Sequence, residues 1–198
     1  MIEWRTVTLG SISSSVSYGY TASANSDCVG PKFLRITDIV PHQINWDTVP
    51  YCEIGSKDLQ KYQLNVGDIV IARTGATTGY NAMFKGGINA VFASYLIRFK
   101  IDPKEADSKY VSYVLQSPHY YGFIAGSIGG SAQPGINAAI LSQFSFSLPP
   151  LPVQKKIAAI LSSLDDKIEQ NTRMNKVLEE IARVLFHRWF VEFEFPNA

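Results

Sequence analysis

Apolar positions change their period once along the chain. Before Pro152 they come in short runs broken by turn residues, and after it they follow a repeat of three and four. The stretch Phe33-Leu34-Arg35-Ile36-Thr37-Asp38-Ile39 alternates apolar and polar residues, which predicts a half-buried strand. Leu64-Asn65-Val66-Gly67-Asp68 turns into the apolar run Ile69 to Ala72. Gly86-Gly87 then separates Ala82-Met83-Phe84-Lys85 from Ala90 to Phe99, a pattern that predicts a sheet with a hairpin. Asp107 to Gln116 has a capping residue and helical spacing and is stopped by Ser117-Pro118, with a second short helix over His119 to Ala125. Gly126 to Gly135 is a glycine-rich loop. It closes on Ile136-Asn137, where a helix through Ala138 to Ser142 begins, and Phe144 to Leu148 forms a last strand.

Pro149-Pro150-Leu151-Pro152 reads as a stiff extended connector, because proline fixes φ and pushes its predecessor out of the helical region. The domain boundary falls there, giving a globular unit over 1–152 and a helical unit over 153–198. From about Val153 to Phe190 the apolar seam is Ile157, Leu161, Leu164, Ile168, Asn171, Asn175, Leu178, Ala182, Leu185 and Trp189. Unbroken alternation of four and three is the seam of a coiled coil, so this helix is expected to pair with another. About 38 residues at about 1.5 Å each give a rod near 57 Å. Asn171 and Asn175 replace apolar residues at its centre, where a buried polar group costs stability but fixes register. The seam is symmetric about residue 173, so an antiparallel partner of like sequence would set Ile168 against Leu178 and Asn171 against Asn175. The expected fold class is α+β: a mixed β-sheet domain followed by a long coiled-coil helix.

Composition narrows the class. The chain has 198 residues, of which 46% are hydrophobic, enough for one packed domain with an appendage. Cys28 and Cys52 lack the paired spacing of a zinc or redox site and fit a reducing cytoplasm. No apolar run reaches the roughly 18 residues of a membrane span. Net charge is +1, yet between Lys57 and Lys100 six basic residues face two acids, a local excess of +4. No Asn/Asp-Pro-Pro-Tyr/Phe element, cofactor-binding glycine turn or nuclease-type carboxylate cluster with lysine is found. His42, His119 and His187 stand apart, without a nucleophile or metal constellation.

Five segments together resemble the DNA specificity subunit of type I restriction-modification systems. They are Lys32 to Ile39, Gly67 to Gly79, Ala93 to Phe99, Gly130 to Asn137 and Leu148 to Ala158, in family order over nearly the whole chain. The resemblance implies a target recognition domain over 1–152 and a spacer helix over 153–198 for antiparallel pairing. It also implies double-stranded DNA and DNA methyltransferase (modification) subunits as partners, with catalysis in separate modification and restriction subunits and no cofactor. Full-length subunits of that family carry the unit twice, each reading half of a split target. This chain carries it once and is expected to be either a natural half-subunit that forms a homodimer or part of a longer specificity subunit. Its start at a native-looking Met1 disfavours a piece of a fused methyltransferase.

Within the turn bounded by Gly75 and Gly79, Arg73, Thr74, Thr77 and Thr78 are expected to hold phosphates, with Ser131 and Gln133 in the second glycine-rich loop. Ser17 to Ser23, His42 to Trp46, Tyr80 and Asn81 are the candidates for reading bases, although Trp46 suits packing better than stacking. Lys32 and Arg35 complete the DNA-binding set. The alternative from another class is a protein-interaction adaptor that dimerises through the same helix and binds no DNA.

Overall fold

The computed structural model describes residues 4–40, 43–128 and 135–195. It divides the chain into two compact units, Met1–Lys155 and Lys156–Ala198. In chain order the elements are β1 (Arg5–Thr8), β2 (Ser13–Tyr18), β3 (Lys32–Leu34), β4 (Ile39–Val40), β5 (Gln43–Ile44) and α1 (Ser56–Tyr62). There follow β6 (Ile69–Ala72), β7 (Asn81–Met83), β8 (Ala90–Phe92), β9 (Leu96–Ile101), α2 (Ser108–Val114) and α3 (Pro118–Ser127). The chain continues through α4 (Ala138–Ser142), β10 (Ser145–Leu148) and α5 (Leu151–Phe190).

At the heart of the first unit is an antiparallel sheet in the order β2-β9-β6-β7. Its two middle strands carry the continuous apolar runs: Ile69, Val70, Ile71, Ala72, Leu96, Ile97 and Phe99 are fully buried. A strand covered on both faces needs no polar alternation, which is why Ile69 to Ala72 has none. β3 pairs with β8 in parallel and β1 with β10 antiparallel, so the pairing is mixed. Aromatic packing closes the far side, with Tyr120 edge-on to Phe144 and Phe144 stacked on Phe146.

Helix starts follow local chemistry. The side chains of Asp107, Ser117 and Asn137 accept the N–H groups of Tyr110, Tyr120 and Ile140, capping α2, α3 and α4. Two strand expectations need correction. The alternating stretch from Phe33 breaks after Leu34 into a single 3₁₀ turn over Ile36–Asp38. Asp38 accepts the backbone N–H of Arg35 at 2.9 Å and grips its guanidinium, which closes that turn against the extended form. Nor is there a hairpin across Gly86-Gly87. Ala90 to Phe99 is two strands, β8 and β9, split by a turn at Ala93 to Tyr95, and β7 and β8 pair with different partners.

Gly19 is where two segments of the sheet edge come closest. A Cβ there would lie 2.2 Å from the carbonyl oxygen of Ala93 and 2.3 Å from that of Phe92, both backbone atoms with nowhere to go. Gly19→Ala should therefore cost about 1–3 kcal/mol, the range for overpacking. A urea midpoint equal to the wild type's would show that the segment can shift without loss.

The long helix begins two residues earlier than its pattern predicts, at Leu151. Pro152 thus sits in the first turn, where its missing N–H would have had no partner. Gln154, buried in that turn, accepts the N–H of Asp107 at 2.8 Å and donates to the carbonyl of Pro149 at 2.7 Å. A single amide thereby satisfies two backbone groups that would otherwise be buried unpaired. Further along, Leu164, Ile168, Leu178 and Leu185 of the seam are exposed, Ile168 at 57% and Leu178 at 53%. Met174, Val177, Ile181 and Val184, off the seam, are exposed as well, so the apolar face widens toward the helix's end beyond the narrow stripe the repeat predicts. An apolar face of this extent marks an interaction surface.

Candidate functional site

Four segments of the first unit converge on Arg73. β6 ends at Ala72, and the next residue, Arg73, donates its backbone N–H to the carbonyl of Tyr95 at 3.0 Å. The carbonyl of Arg73 accepts the N–H of Ile136 at 2.8 Å, and Thr74 pairs with Gly135, joining the turn that precedes Gly75 to the end of the second glycine-rich loop. Tyr18 closes β2, and its hydroxyl accepts the N–H of Ala138 at 3.1 Å. Strand pairing sets this geometry: Tyr18 is opposite Ile97, and Ala72 is opposite Leu96.

The Arg73 guanidinium lies over two tyrosines, 5.2 Å from the ring centroid of Tyr18 and 5.9 Å from that of Tyr95. Both rings are open to solvent, Tyr18 at 41% and Tyr95 at 54%. Among the described residues the guanidinium has no hydrogen bond and no acidic partner. A planar cation with five N–H donors, packed over aromatic rings and free of an anionic partner, suits a ligand with paired acceptors.

The other expected contacts divide by how much of their chemistry is already used. Thr78 is buried and donates to the carbonyl of Gly75 at 2.6 Å. Asn81 is fully buried, and its amide donates to the carbonyls of Leu115 and Gly79. With Asn81 at 0% and Thr78 at 8% exposure, both side chains contribute to the fold. Thr77 leans on the carbonyl of Ile36 at 3.4 Å, and the ring of Tyr80 packs against the core. Lys32 donates to the carbonyl of Val49 at 2.7 Å and lies over the ring of Tyr51. Arg35 is held by Asp38, whose hydrogen bond raises the guanidinium's pKa. Ser131, Gln133 and His42 lie outside the described residues. Trp46 packs edge-on to Phe84, as its expected packing role requires.

One cation and one acid of the locally basic stretch lie inside the fold, which leaves its excess of positive charge unchanged. Arg98 is buried beside Asp68, 3.6 Å away, and donates to the carbonyls of Gln63 and Lys61 at the end of α1. Burial lowers its pKa and raises that of Asp68, so neither charge reaches a surface. Tyr95, by contrast, was not expected to matter. Its one signal in the sequence is a large aromatic in the short turn between two apolar runs. Among the described residues no group of three His, Cys, Asp or Glu side chains forms a metal-binding set, and no helix is long and apolar enough to cross a membrane.

Comparison with known proteins gives one consistent answer. The model of the type I restriction modification DNA specificity domain matches residues 1–180. The type I restriction enzyme HindI specificity subunit of Haemophilus influenzae is 29% identical over 206 residues, which cover 98% of this chain and 42% of that protein. The MjaIX specificity subunit of Methanocaldococcus jannaschii is 30% identical over 125 residues, 63% of this chain and 28% of that protein. The chain thus spans less than half of the relatives it matches. In structure it is similar to the S subunit of the type I restriction-modification system from M. genitalium, with a TM-score of 0.72 at 16% identity over 98% of this chain and 47% of that one. The HsdS subunit from Thermoanaerobacter tengcongensis matches with a TM-score of 0.59 at 16% identity, over 98% and 50% respectively.

Proposed function

Because the chain belongs to the type I restriction modification DNA specificity family, we propose that it reads one half of a bipartite DNA target and directs partner subunits to it. The family match over residues 1–180 carries this reading, and the unpaired Arg73 edge on an exposed aromatic surface supports it. Methylation and cleavage belong to modification and restriction subunits, and the chain contributes recognition. The contacting set is Arg73 with Tyr18 and Tyr95, joined by Thr74, Thr77, Lys32, Ser131 and Gln133. Residues 1–152 form the recognition domain and the helix that follows is the spacer.

The helix pairs antiparallel with a second spacer, from another copy of the chain or from the second half of a longer subunit. Its exposed apolar face is wider than one seam covers, which supports packing against more than one helix. The assembly works in the cytoplasm, where Cys28 and Cys52 stay free thiols.

Duplex DNA is the test. The full chain, titrated with a pool of random-sequence duplexes followed by sequencing of the bound fraction, is expected to enrich a motif. Affinity should fall only shallowly with salt, because the slope scales with the number of phosphates neutralised and few cations are available. A bound pool indistinguishable from the input would remove the recognition role and favour an adaptor that binds protein alone.

A further inference from the structure

Arg73 was expected to hold a phosphate, yet its surroundings suit a different acceptor. A tetrahedral phosphate accepts a guanidinium from many directions and is normally met by several cations. The segments that converge on Arg73, 17–20, 72–79, 93–96 and 135–140, contain no second lysine or arginine. Its guanidinium carbon lies over the rings of both Tyr18 and Tyr95, and its backbone is fixed on both sides by hydrogen bonds to Tyr95 and Ile136. Tyr18 in turn is tied to the start of α4 through its hydroxyl. A phosphate also takes two parallel N–H···O bonds, but its oxygens point in several directions, so orientation constrains it less. For a base edge orientation decides the fit, because two coplanar acceptors must meet two coplanar donors. The exposed flanks of the two rings offer apolar surface, which suits neighbouring bases better than a charged backbone.

We propose that Arg73 is a base-reading residue that takes the O6 and N7 acceptors of one guanine in the major groove, with Tyr18 and Tyr95 as the positioning residues that hold its plane. This rests on the DNA-recognition reading above and adds to it a residue, a base and a geometry. Arg73 is donor-only, so it fits guanine, whose groove edge has two adjacent acceptors, and not adenine, which places a donor beside its acceptor.

The experiment uses the full chain and random-sequence duplexes, comparing wild type with Arg73→Ala, Arg73→Lys and Tyr95→Leu, each first shown to keep the wild-type circular dichroism spectrum. Wild type should enrich a motif containing one strictly required guanine. Arg73→Ala should lose preference at that position alone, binding the selected duplex roughly 5- to 150-fold more weakly, as loss of one bidentate base contact implies. Its binding to scrambled duplex should not change. Arg73→Lys should fall between, since an ammonium cannot make the planar pair. Tyr95→Leu should relax the same position and no other, which a merely structural role would not do. If Arg73→Ala weakens selected and scrambled duplexes alike with the motif intact, the residue holds phosphate and the proposal fails. It fails too if the guanine stays required. If wild type enriches nothing, the recognition reading itself falls and takes this assignment with it.

Discussion

Ile168→Glu should abolish pairing of the long helix, and adding Leu178→Lys should restore it. In an antiparallel pair centred on residue 173, Ile168 of one helix faces Leu178 of the other. A glutamate at 168 then lies among apolar side chains, twice in each dimer. Losing two buried aliphatic side chains costs about 4–6 kcal/mol, so association should weaken at least about a thousandfold before any penalty for the charge. With lysine at 178, each glutamate meets a lysine and both contacts become attractive. A parallel pair would behave in the opposite way, setting glutamate against glutamate and lysine against lysine. Sedimentation equilibrium of the wild type, the single variant and the double variant distinguishes these cases. A double variant that stays monomeric would rule out the antiparallel register, and a monomeric wild type would rule out the self-paired form. The same register gives Asn171 and Asn175 their meaning: replacing both with leucine should raise the dimer's melting temperature while admitting both orientations, read by disulfide trapping at the helix ends.

The second large effect is expected in the core. Arg98→Met leaves Asp68 buried without its counter-charge and strips two carbonyls at the end of α1 of their donors. Breaking such a pair from one side costs about 3–5 kcal/mol, a large part of the 5–15 kcal/mol that holds a typical domain together. The melting temperature should fall by about 10 °C. The loss should also depend on pH. Burial holds the Asp68 carboxyl above its ordinary pKa, while the N–H of Asn65 and the charges of Arg98 and Lys100 pull it back down. A carboxyl that stays protonated longer in the folded state than in the unfolded chain stabilises most below the ordinary carboxylate pKa. That contribution is lost as pH rises through the raised value. Without Arg98 the value rises further and the loss grows. Urea midpoints should therefore separate from wild type more widely at pH 7 than at pH 4, and an equal gap at both would show that the ion pair is not the cause.

Features governed by neighbouring residues were legible in the sequence. Asp107 caps the helix it was expected to cap, Asn137 stands at an expected helix start, and the apolar run Ile69 to Ala72 is the buried strand its composition implies, while Ser117, read as a stop, caps the following helix. Missed features depend on distant residues or on weak local signals. α1 begins at Gly55, whose lack of a capping side chain hides the start, and β2 is a polar strand made stable by β9 across the sheet. Asn81 and Arg98 look like surface polar residues, and only the fold reveals the carbonyls that hold them inside. At the candidate site Arg73 was identifiable from the glycines beside it. Tyr95 was not, because it reaches Arg73 through the register of β6 and β9, which no local pattern specifies.

The pairing of β1 with β10 also bears on how the chain is made. Arg5 lies opposite Leu148, so this strand leaves the ribosome long before the strand it pairs with. At about 5–20 residues per second the ribosome needs roughly seven to thirty seconds to supply that partner. Until then β1 carries an open edge, free to pair with another nascent chain. Contacts this remote in sequence slow closure further, because a long loop must be ordered before they form. Synthesis that stalls before Ser145 would thus yield an aggregation-prone intermediate rather than a smaller folded domain.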